Sequence, residues 1–225
     1  MFVRIPNVLN KENLQFVDEL VAHGKFADGA ATTGAPTKSV KHNLQLDLAA
    51  HPRRDEFLRM INQALNANSV VRGVAMPKRM TMPLISKYET GMAYGWHIDN
   101  PLMFAMGNTV RTDIAGTLFI SDRNSYEGGE LMVRTASGDI KVKLDRGDCF
   151  LYPATQRHQV LPITRGVRIA VVFWIQSMIA DPAQRELLHD LELAYELVLK
   201  ENPQSEALQM IQRAQTNLVR RWSEV

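Results

Sequence analysis

The segment YETGMAYGWHIDN, residues 88–100, carries the pattern from which the fold is predicted. On an extended strand, side chains at positions i and i+2 point to the same face of the sheet. His97 and Asp99 would therefore share one face, and Ile98 would point away from it. An imidazole and a carboxylate placed in this way can contact a single metal ion. The segment predicts one edge of a metal site on a β-sheet.

His158 and Arg168 extend this prediction further along the chain. His158 follows Tyr152-Pro153 and a short polar turn, so we expect it near the start of a strand, where it completes the metal site. Two histidines and one carboxylate leave three positions of an octahedral ion open, as in non-haem Fe(II) oxygenases. Arg168 lies in an apolar run, where a buried guanidinium needs an anionic partner. The planar guanidinium can form a bidentate pair with the carboxylate of a cosubstrate.

Each of these residues also has a structural role that needs no ligand. A lone His-x-Asp is frequent by chance, His158 could bond to a turn carbonyl, and Arg168 could face outward from a half-exposed strand. Tyr88 can donate a hydrogen bond to the cosubstrate or serve as an ordinary strand aromatic. Trp174 lies six residues after Arg168 and therefore on the same strand face, toward the cavity, although core packing is its expected role.

None of the remaining polar residues is predicted to bind the metal ion directly. Gly128 and Gly129 permit a tight turn, and we do not expect the flanking carboxylates of Glu127 and Glu130 to bind metal. Three residues are candidates for contacts with substrate or with the metal ligands, with turn and ion-pair roles as alternatives: Asn100, Arg111 and Asp113. The other histidines are expected to be structural or solvated: His23, His42, His51 and His189.

Length and composition predict one principal globular domain. A chain of 225 residues can bury a good core, and a formal net charge of +2 gives no electrostatic reason to expect nucleic-acid binding. The single cysteine, Cys149, excludes an intramolecular disulfide framework and fits a reducing cytoplasm. The chain shows neither a signal peptide nor a run of about 18 apolar residues. We therefore expect a cytoplasmic protein without a membrane partner.

Hydrophobic periodicity indicates helices on both sides of a β-rich block. A helix is expected from the Asn10 N-cap to about Ala22, and a second from Pro52 to about Ala67, with a mobile loop at residues 27–37. Two further helices follow Pro182 and join near Asn202-Pro203. Short β-rich runs separated by Gly and Pro predict a jelly roll. Its strands are expected at residues 83–88, 94–98, 115–121, 130–134, 140–144, 149–152, 158–161 and 167–176.

These patterns predict a mainly β fold with flanking helices. An N-terminal helical scaffold packed on the core is expected at residues 1–79, the jelly-roll core at 80–178, and a C-terminal helical appendage at 179–225. The amphipathic tail could cap the barrel or form a homo-oligomer interface, because both uses need the same pattern.

The order of several short motifs resembles that of a known family. The motifs are Tyr88-x-x-Gly91-x-x-Tyr94-Gly95-x-His97-x-Asp99-Asn100, Arg111-Thr112-Asp113, Thr117-Leu118-Phe119, Gly128-Gly129-Glu130-Leu131, Gly147-Asp148, Tyr152-Pro153, His158, Thr164-Arg165-Gly166-x-Arg168 and Phe173-Trp174-Ile175-Gln176-Ser177. They resemble the bacterial PKHD-type hydroxylases, the PiuC-like members of the prolyl 4-hydroxylase-like Fe(II)/2-oxoglutarate-dependent dioxygenases. The resemblance covers nearly the whole chain. One departure is Ala115-Gly116, where the family pattern has a serine.

The resemblance implies a double-stranded β-helix, which is a jelly-roll variant, and a complete cofactor set. It implies that His97, Asp99 and His158 bind Fe(II), and that Arg168 binds the distal carboxylate of 2-oxoglutarate. Dioxygen is the implied second cosubstrate, succinate and CO2 are the implied products, and ascorbate is the implied reductant of the iron. The hydroxylated substrate would be a small molecule or a peptide, with a prolyl or peptidyl target and an iron chelator equally admissible.

Two other functions also fit the residues. The first is a cupin-like metalloenzyme that does not use 2-oxoglutarate, since jelly rolls host many metal chemistries. The second is a non-catalytic metal- or ligand-binding module that acts through the helical tail.

Overall fold

The computed structural model describes residues 1–105 and 107–224. The helices are α1 (Lys11–His23), α2 (Ala35–Lys38), α3 (Arg54–Ala67), α4 (Ser69–Ala75), α5 (Pro182–Glu201) and α6 (Glu206–Trp222), with a 3₁₀ turn at Gly29–Thr32. The strands are β1 (Val3–Ile5), β2 (Phe26–Asp28), β3 (Lys41–His42), β4 (Leu44–Leu46), β5 (Pro77–Met80), β6 (Leu84–Tyr88), β7 (Ala93–His97), β8 (Leu102–Ala105), β9 (Asn108–Arg111), β10 (Ile114–Phe119), β11 (Glu127–Gly128), β12 (Leu131–Thr135), β13 (Gly138–Val142), β14 (Cys149–Pro153), β15 (His158–Val160), β16 (Ile163–Arg165) and β17 (Arg168–Ser177).

Two antiparallel sheets form the centre of the molecule. The major sheet has the strand order β1-β14-β10-β17-β6-β4-β2, with β5 also paired to β17. The minor sheet has the order β13-β12-β15-β7-β3. Interior side chains of both sheets meet in one apolar cluster, which includes Phe119 and Phe150 from the major sheet and Val133 and Val142 from the minor sheet. This arrangement confirms the jelly-roll core, in its double-stranded β-helix form.

Strand β17 organises the major sheet because its two faces bury different kinds of residue. It pairs with β10 over six residue positions and with β6 over five. Val171, Phe173 and Ile175 point to the outer face and belong to the larger apolar cluster. Arg168 and Trp174 lie on the opposite face and line the pocket between the sheets. The density of β-branched and aromatic residues explains why this segment forms a long strand.

Helices α1, α3 and α4 cover the outer face of the major sheet. Their buried residues are Leu14, Val17 and Leu20, then Phe57, Leu58, Ile61 and Leu65, then Val71, Val74 and Ala75. Helix α1 begins as predicted, because the Asn10 side chain accepts a hydrogen bond from the Asn13 backbone N–H at 2.8 Å. The Asn13 side chain accepts one from the Asn10 N–H in return. This reciprocal capping satisfies backbone donors at the start of the helix.

The N-terminal part of the chain contains more strand than its periodicity indicated. Strands β1 to β4 were not predicted, and they join both sheets. Residues 27–37, predicted as a mobile loop, contain the end of β2, the 3₁₀ turn and the start of α2. Elements of two to four residues are too short to show alternation, and their partners lie far along the chain. The division at residues 79 and 178 stays a prediction.

The C-terminal helices α5 and α6 pack against each other as predicted. The buried Arg185 guanidinium ties the start of α5 to the core by donating to the carbonyls of Ile179 at 2.7 Å and Ala180 at 2.8 Å. Arg111 pairs with Glu224 at 2.8 Å and holds the end of the tail. None of the helices in the described part of the chain is long and apolar enough to cross a membrane. The role of the appendage stays a prediction.

A close contact between β10 and β17 gives the first testable prediction. A Cβ atom at Gly116 would lie 2.2 Å from the Phe173 ring, which is fully buried. We expect Gly116→Ala to lower the free energy of unfolding by about 1–3 kcal/mol through overpacking. Gly73 in α4 has open space around its missing Cβ. Gly73→Ala should therefore raise the free energy of unfolding by about 0.5–1 kcal/mol, and urea unfolding measures both. If both variants changed the free energy of unfolding by the same amount and in the same direction, the close packing of Gly116 against Phe173 would be contradicted.

Candidate active site

The two histidines of the predicted site meet through strand pairing. His97 ends β7 and His158 begins β15, and the antiparallel register places them directly opposite each other. Their ring centroids lie 4.1 Å apart. A register shift between His158 and Val160 marks an irregularity in this pairing. Residues 61 positions apart in the sequence are thus brought into contact by one pair of strands.

Both imidazole rings are oriented by backbone carbonyls. His97 Nδ1 lies 2.8 Å from the Gly95 carbonyl oxygen, and His158 Nδ1 lies 3.0 Å from the Gln156 carbonyl oxygen. A carbonyl can only accept, so each Nδ1 carries the proton and donates it. In the neutral ring, Nε2 is then left with a free lone pair. This is the tautomer that a metal-binding histidine requires.

Asp99 completes the cluster from just beyond the end of β7. Its Oδ1 lies 3.8 Å from His97 Nε2 and 3.7 Å from His158 Nε2. Ile98, between His97 and Asp99, is 55% exposed and is not part of the cluster. The three ligand atoms lie within 4.8 Å of one another. The group can therefore hold one metal ion.

The surroundings of the cluster favour a bound cation. Asp99 Oδ2 is buried and has no hydrogen-bond partner among the described residues. Burial raises the Asp99 pKa, an effect that the His158 charge, the nearby Trp174 indole N–H and Lys41 oppose. The Trp174 nitrogen lies outside hydrogen-bond geometry. Burial, together with the neighbouring His158 charge, lowers the pKa of His97 to about 3. Two neutral imidazoles and one carboxylate fit a divalent iron ion.

Each of the two imidazoles also packs against an aromatic ring. Tyr94 stacks on His97 with 3.6 Å between ring centroids, and Tyr152 meets His158 edge-on at 5.1 Å. Tyr152 is buried, and burial together with the Asp99 charge raises its pKa well above the ordinary value. Its hydroxyl therefore keeps its proton. No role for Tyr152 is predicted from the sequence, although the Tyr152-Pro153 motif precedes His158.

Arg168 supplies a buried positive charge in the same pocket. It is 2% exposed, and its Nε has no hydrogen-bond partner. No carboxylate in residues 1–105 or 107–224 forms an ion pair with it. The guanidinium lies 5.4 Å from the Tyr88 ring and 5.6 Å from the Phe119 ring. A buried guanidinium without a counter-charge is suited to an anionic ligand.

Tyr88 lies beside Arg168 because the two residues are paired between β6 and β17. Its side chain lines the pocket and is buried. Burial raises the pKa of Tyr88 to about 12, and the Arg168 charge partly opposes that rise. Its hydroxyl therefore keeps its proton. Tyr88 and Arg168 thus line the same part of the pocket wall, and the role of Tyr88 toward a cosubstrate stays a prediction.

The pocket that contains these residues has a volume of about 880 Å³, including space open to solvent. Trp174 lines it, in agreement with its predicted strand face. The pocket wall also includes Lys41 and Gln45, for which the sequence predicts no role. Both come from strands of two or three residues whose positions depend on distant partners. No local pattern in the sequence indicates that they face the site.

The residues that the sequence left as candidates have mainly structural contacts. Asn100 lines the pocket, and its backbone carbonyl accepts from the Thr112 hydroxyl at 2.6 Å. Arg111 forms a two-pronged ion pair with Asp113, whose carboxylate also accepts from the Ser177 N–H at 2.8 Å. Glu127 pairs with Arg165 on the surface.

Ala115-Gly116, the departure from the family pattern, is explained by packing on the two faces of β10. Ala115 belongs to the interior cluster between the sheets. Gly116 faces the opposite way, against Phe173. The change leaves the three candidate metal ligands untouched.

Comparison with known proteins assigns the chain to a family. A model described as "2OG-Fe(II) oxygenase superfamily" matches residues 83–176. A PKHD-type hydroxylase of Synechococcus sp. (strain JA-2-3B'a(2-13)) is 39% identical over 225 residues, with 100% of both chains covered. The chain belongs to the PKHD-type hydroxylases. It is therefore an Fe(II)- and 2-oxoglutarate-dependent dioxygenase. This membership disfavours the cupin-like and non-catalytic alternatives.

Solved structures share the fold at low sequence identity. A prolyl hydroxylase from Trichoplax adhaerens, in complex with a hypoxia-inducible factor peptide fragment, aligns with a TM-score of 0.59 and 19% identity. The alignment covers 83% of this chain and 86% of that one. HygX from Streptomyces hygroscopicus, with nickel and 2-oxoglutarate bound, aligns with a TM-score of 0.56 and 16% identity over 78% and 82% of the two chains.

The lowered pKa of His97 gives a second prediction, for protein freed of metal with a chelator. In the unfolded chain the His97 imidazole is protonated below about pH 6.5, whereas in the folded chain it is protonated only below about pH 3. Stability should therefore decrease as the pH falls below about 6.5, by about 2 kcal/mol at pH 5, and His97 should have no effect above that range. His97→Gln should remove this loss.

Urea unfolding at a series of pH values measures the effect. His42→Gln, at an exposed position on β3, is the matched control and should keep the wild-type slope. If His97→Gln also kept that slope, the buried neutral imidazole would be contradicted.

Proposed function

We propose that this protein hydroxylates a small-molecule or peptide substrate with Fe(II) held by His97, Asp99 and His158. In this proposal Arg168 binds the distal carboxylate of 2-oxoglutarate, and Tyr88 donates a hydrogen bond to the same cosubstrate. The supporting observation is the pairing of His97 with His158, which directs both Nε2 atoms toward Asp99 Oδ1. A buried guanidinium without an ion pair lines the same pocket.

When bound, the iron and cosubstrates would supply the oxidation: 2-oxoglutarate would take up one atom of dioxygen and lose CO2 to become succinate, and the other atom would enter a C–H bond of the substrate as a hydroxyl group. The protein's part is ligation, orientation and exclusion of water. The carbonyls of Gly95 and Gln156 keep each Nε2 unprotonated, so that both atoms would be available to hold the ion. Arg168 fixes one end of the cosubstrate, so that its other end is directed toward the metal ligands.

Ascorbate is proposed as the reductant that returns oxidised iron to Fe(II), and family resemblance supports it. The substrate class stays open between a prolyl or peptidyl target and an iron chelator. A cytoplasmic location, the absence of nucleic-acid and membrane partners, and assembly into a homo-oligomer are proposals from composition and from the amphipathic tail.

Anaerobic titration tests the proposed function directly. Addition of Fe(II) and then 2-oxoglutarate to metal-free protein should produce a weak visible metal-to-ligand absorption band. Admission of oxygen should then release succinate, and the release should stop earlier when ascorbate is omitted. Absence of the band together with absence of succinate would contradict the proposal. An unchanged time course without ascorbate would remove ascorbate from it.

Substitution of Arg168 tests the assignment of the cosubstrate anchor. Arg168→Met should weaken 2-oxoglutarate binding roughly 10- to 100-fold, because a charge-assisted pair is lost, and should leave Fe(II) affinity nearly unchanged. Tyr88→Phe removes one neutral hydrogen bond and should weaken binding about 5-fold. Titration of the absorption band measures these affinities.

Arg165→Met is the matched control, since Arg165 is exposed and pairs with Glu127 outside the pocket. It should bind 2-oxoglutarate like the wild type. If Arg168→Met did the same, Arg168 would not be the anchor.

A further inference from the structure

A second buried cation, Lys41, lines the pocket from the minor sheet. Lys41 is 7% exposed and lies on β3, opposite Tyr94 of β7. Tyr94 in turn stacks on His97. Lys41 therefore reaches the pocket beside the candidate metal ligands. Arg168 approaches it from the major sheet instead.

The ammonium group of Lys41 is only partly satisfied. Its Nζ donates to Thr32 Oγ1 at 2.9 Å and lies 5.3 Å from the Tyr94 ring centroid. The Thr32 hydroxyl donates onward to the Gly29 carbonyl at 2.9 Å, so its oxygen is turned toward the lysine. An ammonium has three N–H donors, and this arrangement uses one of them. The chain of hydrogen bonds fixes the direction of the group and leaves donors for a ligand.

No carboxylate within residues 1–105 and 107–224 forms an ion pair with Lys41. Asp99 and Asp28 act on it only through longer-range attraction, and burial lowers its pKa to about 8. The Asp28 side chain is engaged as the cap of the 3₁₀ turn, where it accepts from the Ala30 N–H at 2.9 Å. The lysine is thus mostly protonated at neutral pH and lacks a counter-ion in contact.

The charge balance of the pocket with Fe(II) and 2-oxoglutarate bound also indicates that Lys41 lacks a counter-ion. The charges of Fe(II), Asp99, Arg168 and the dianion of 2-oxoglutarate add to zero. Lys41 then remains as an uncompensated buried charge on the wall beside the metal. A buried charge is stabilised by an oppositely charged partner with good hydrogen-bond geometry.

We propose that Lys41 is a specificity-determining residue that binds an anionic oxygen group, a carboxylate or a phosphate, of the molecule to be hydroxylated. This inference rests on the proposed function, because it assigns a substrate class to the same pocket. It favours a substrate with a free acidic group over one that presents only neutral groups near the metal.

Nuclear magnetic resonance on the whole protein tests the inference without turnover. The protein is loaded with Zn(II) and 2-oxoglutarate and labelled with ¹³C at lysine Cε, and the Lys41 signal is identified from its loss in Lys41→Met. The probes are butyrate, methyl phosphate and the neutral analogue butyramide. Butyrate or methyl phosphate should shift the pH midpoint of the Lys41 signal upward, since an anion favours the protonated form. Butyramide should not.

Variants provide the second measurement. Lys41→Met should weaken binding of the effective anion at least roughly 10-fold, whereas Lys41→Arg should retain most of the affinity because it keeps the charge. Lys38→Met, at an exposed lysine of α2, is the control and should match the wild type. Affinity for 2-oxoglutarate should be unchanged in all three. The relative affinities of butyrate and methyl phosphate distinguish a carboxylate from a phosphate substrate.

Several outcomes would overturn the inference, and they are distinguishable. If the metal-loaded wild type failed to bind 2-oxoglutarate, the proposed function would fail, and this inference with it. Only this inference would fail if 2-oxoglutarate bound but neither anion shifted the pH midpoint of the Lys41 signal. The same holds if Lys41→Met bound the anions like the wild type. Loss of 2-oxoglutarate binding in Lys41→Met would assign the lysine to the cosubstrate instead.

Discussion

The antiparallel pairing of β7 with β15 is the interaction on which the site depends. It sets His97 opposite His158 and leaves Asp99 just past the strand end, where its Oδ1 approaches both Nε2 atoms. A shift of one residue in this register would turn one imidazole to the other face of the sheet. Packing of β15 opposes such a shift, because Val160, two residues after His158, is buried in an apolar cluster.

The major sheet contributes the opposite wall and a different kind of constraint. Strand β17 buries apolar residues against the helices and presents Arg168 to the pocket. Packing on the outer face of the sheet therefore holds the Arg168 guanidinium in a buried position, where a charge is unfavourable without a partner. Lys41 is held in the same way at the edge of the minor sheet. The pocket combines one cluster that can hold a metal ion with two buried cations, and this combination is suited to anionic ligands.

The sequence predicted the chemistry of the site better than the path of the chain. Two-residue spacing was enough to place His97 and Asp99 together, and the length and composition of β17 indicated a strand through Arg168. The N-terminal strands were missed because β3 and β4 have two and three residues, and their positions follow from pairing with β7 and β6. Lys41 was missed for the same reason. Tyr152 belongs to one of the family motifs, Tyr152-Pro153, but only tertiary packing shows that its ring contacts His158.

An anaerobic crystal structure of the protein with Mn(II) and 2-oxoglutarate tests the central claim most directly. Anomalous scattering locates the ion independently of the protein model. We expect the ion to be bound by His97 Nε2, Asp99 Oδ1 and His158 Nε2, with the distal carboxylate of 2-oxoglutarate on Arg168. An ion bound elsewhere, or a cosubstrate whose distal carboxylate lay on Lys41 instead of Arg168, would contradict it.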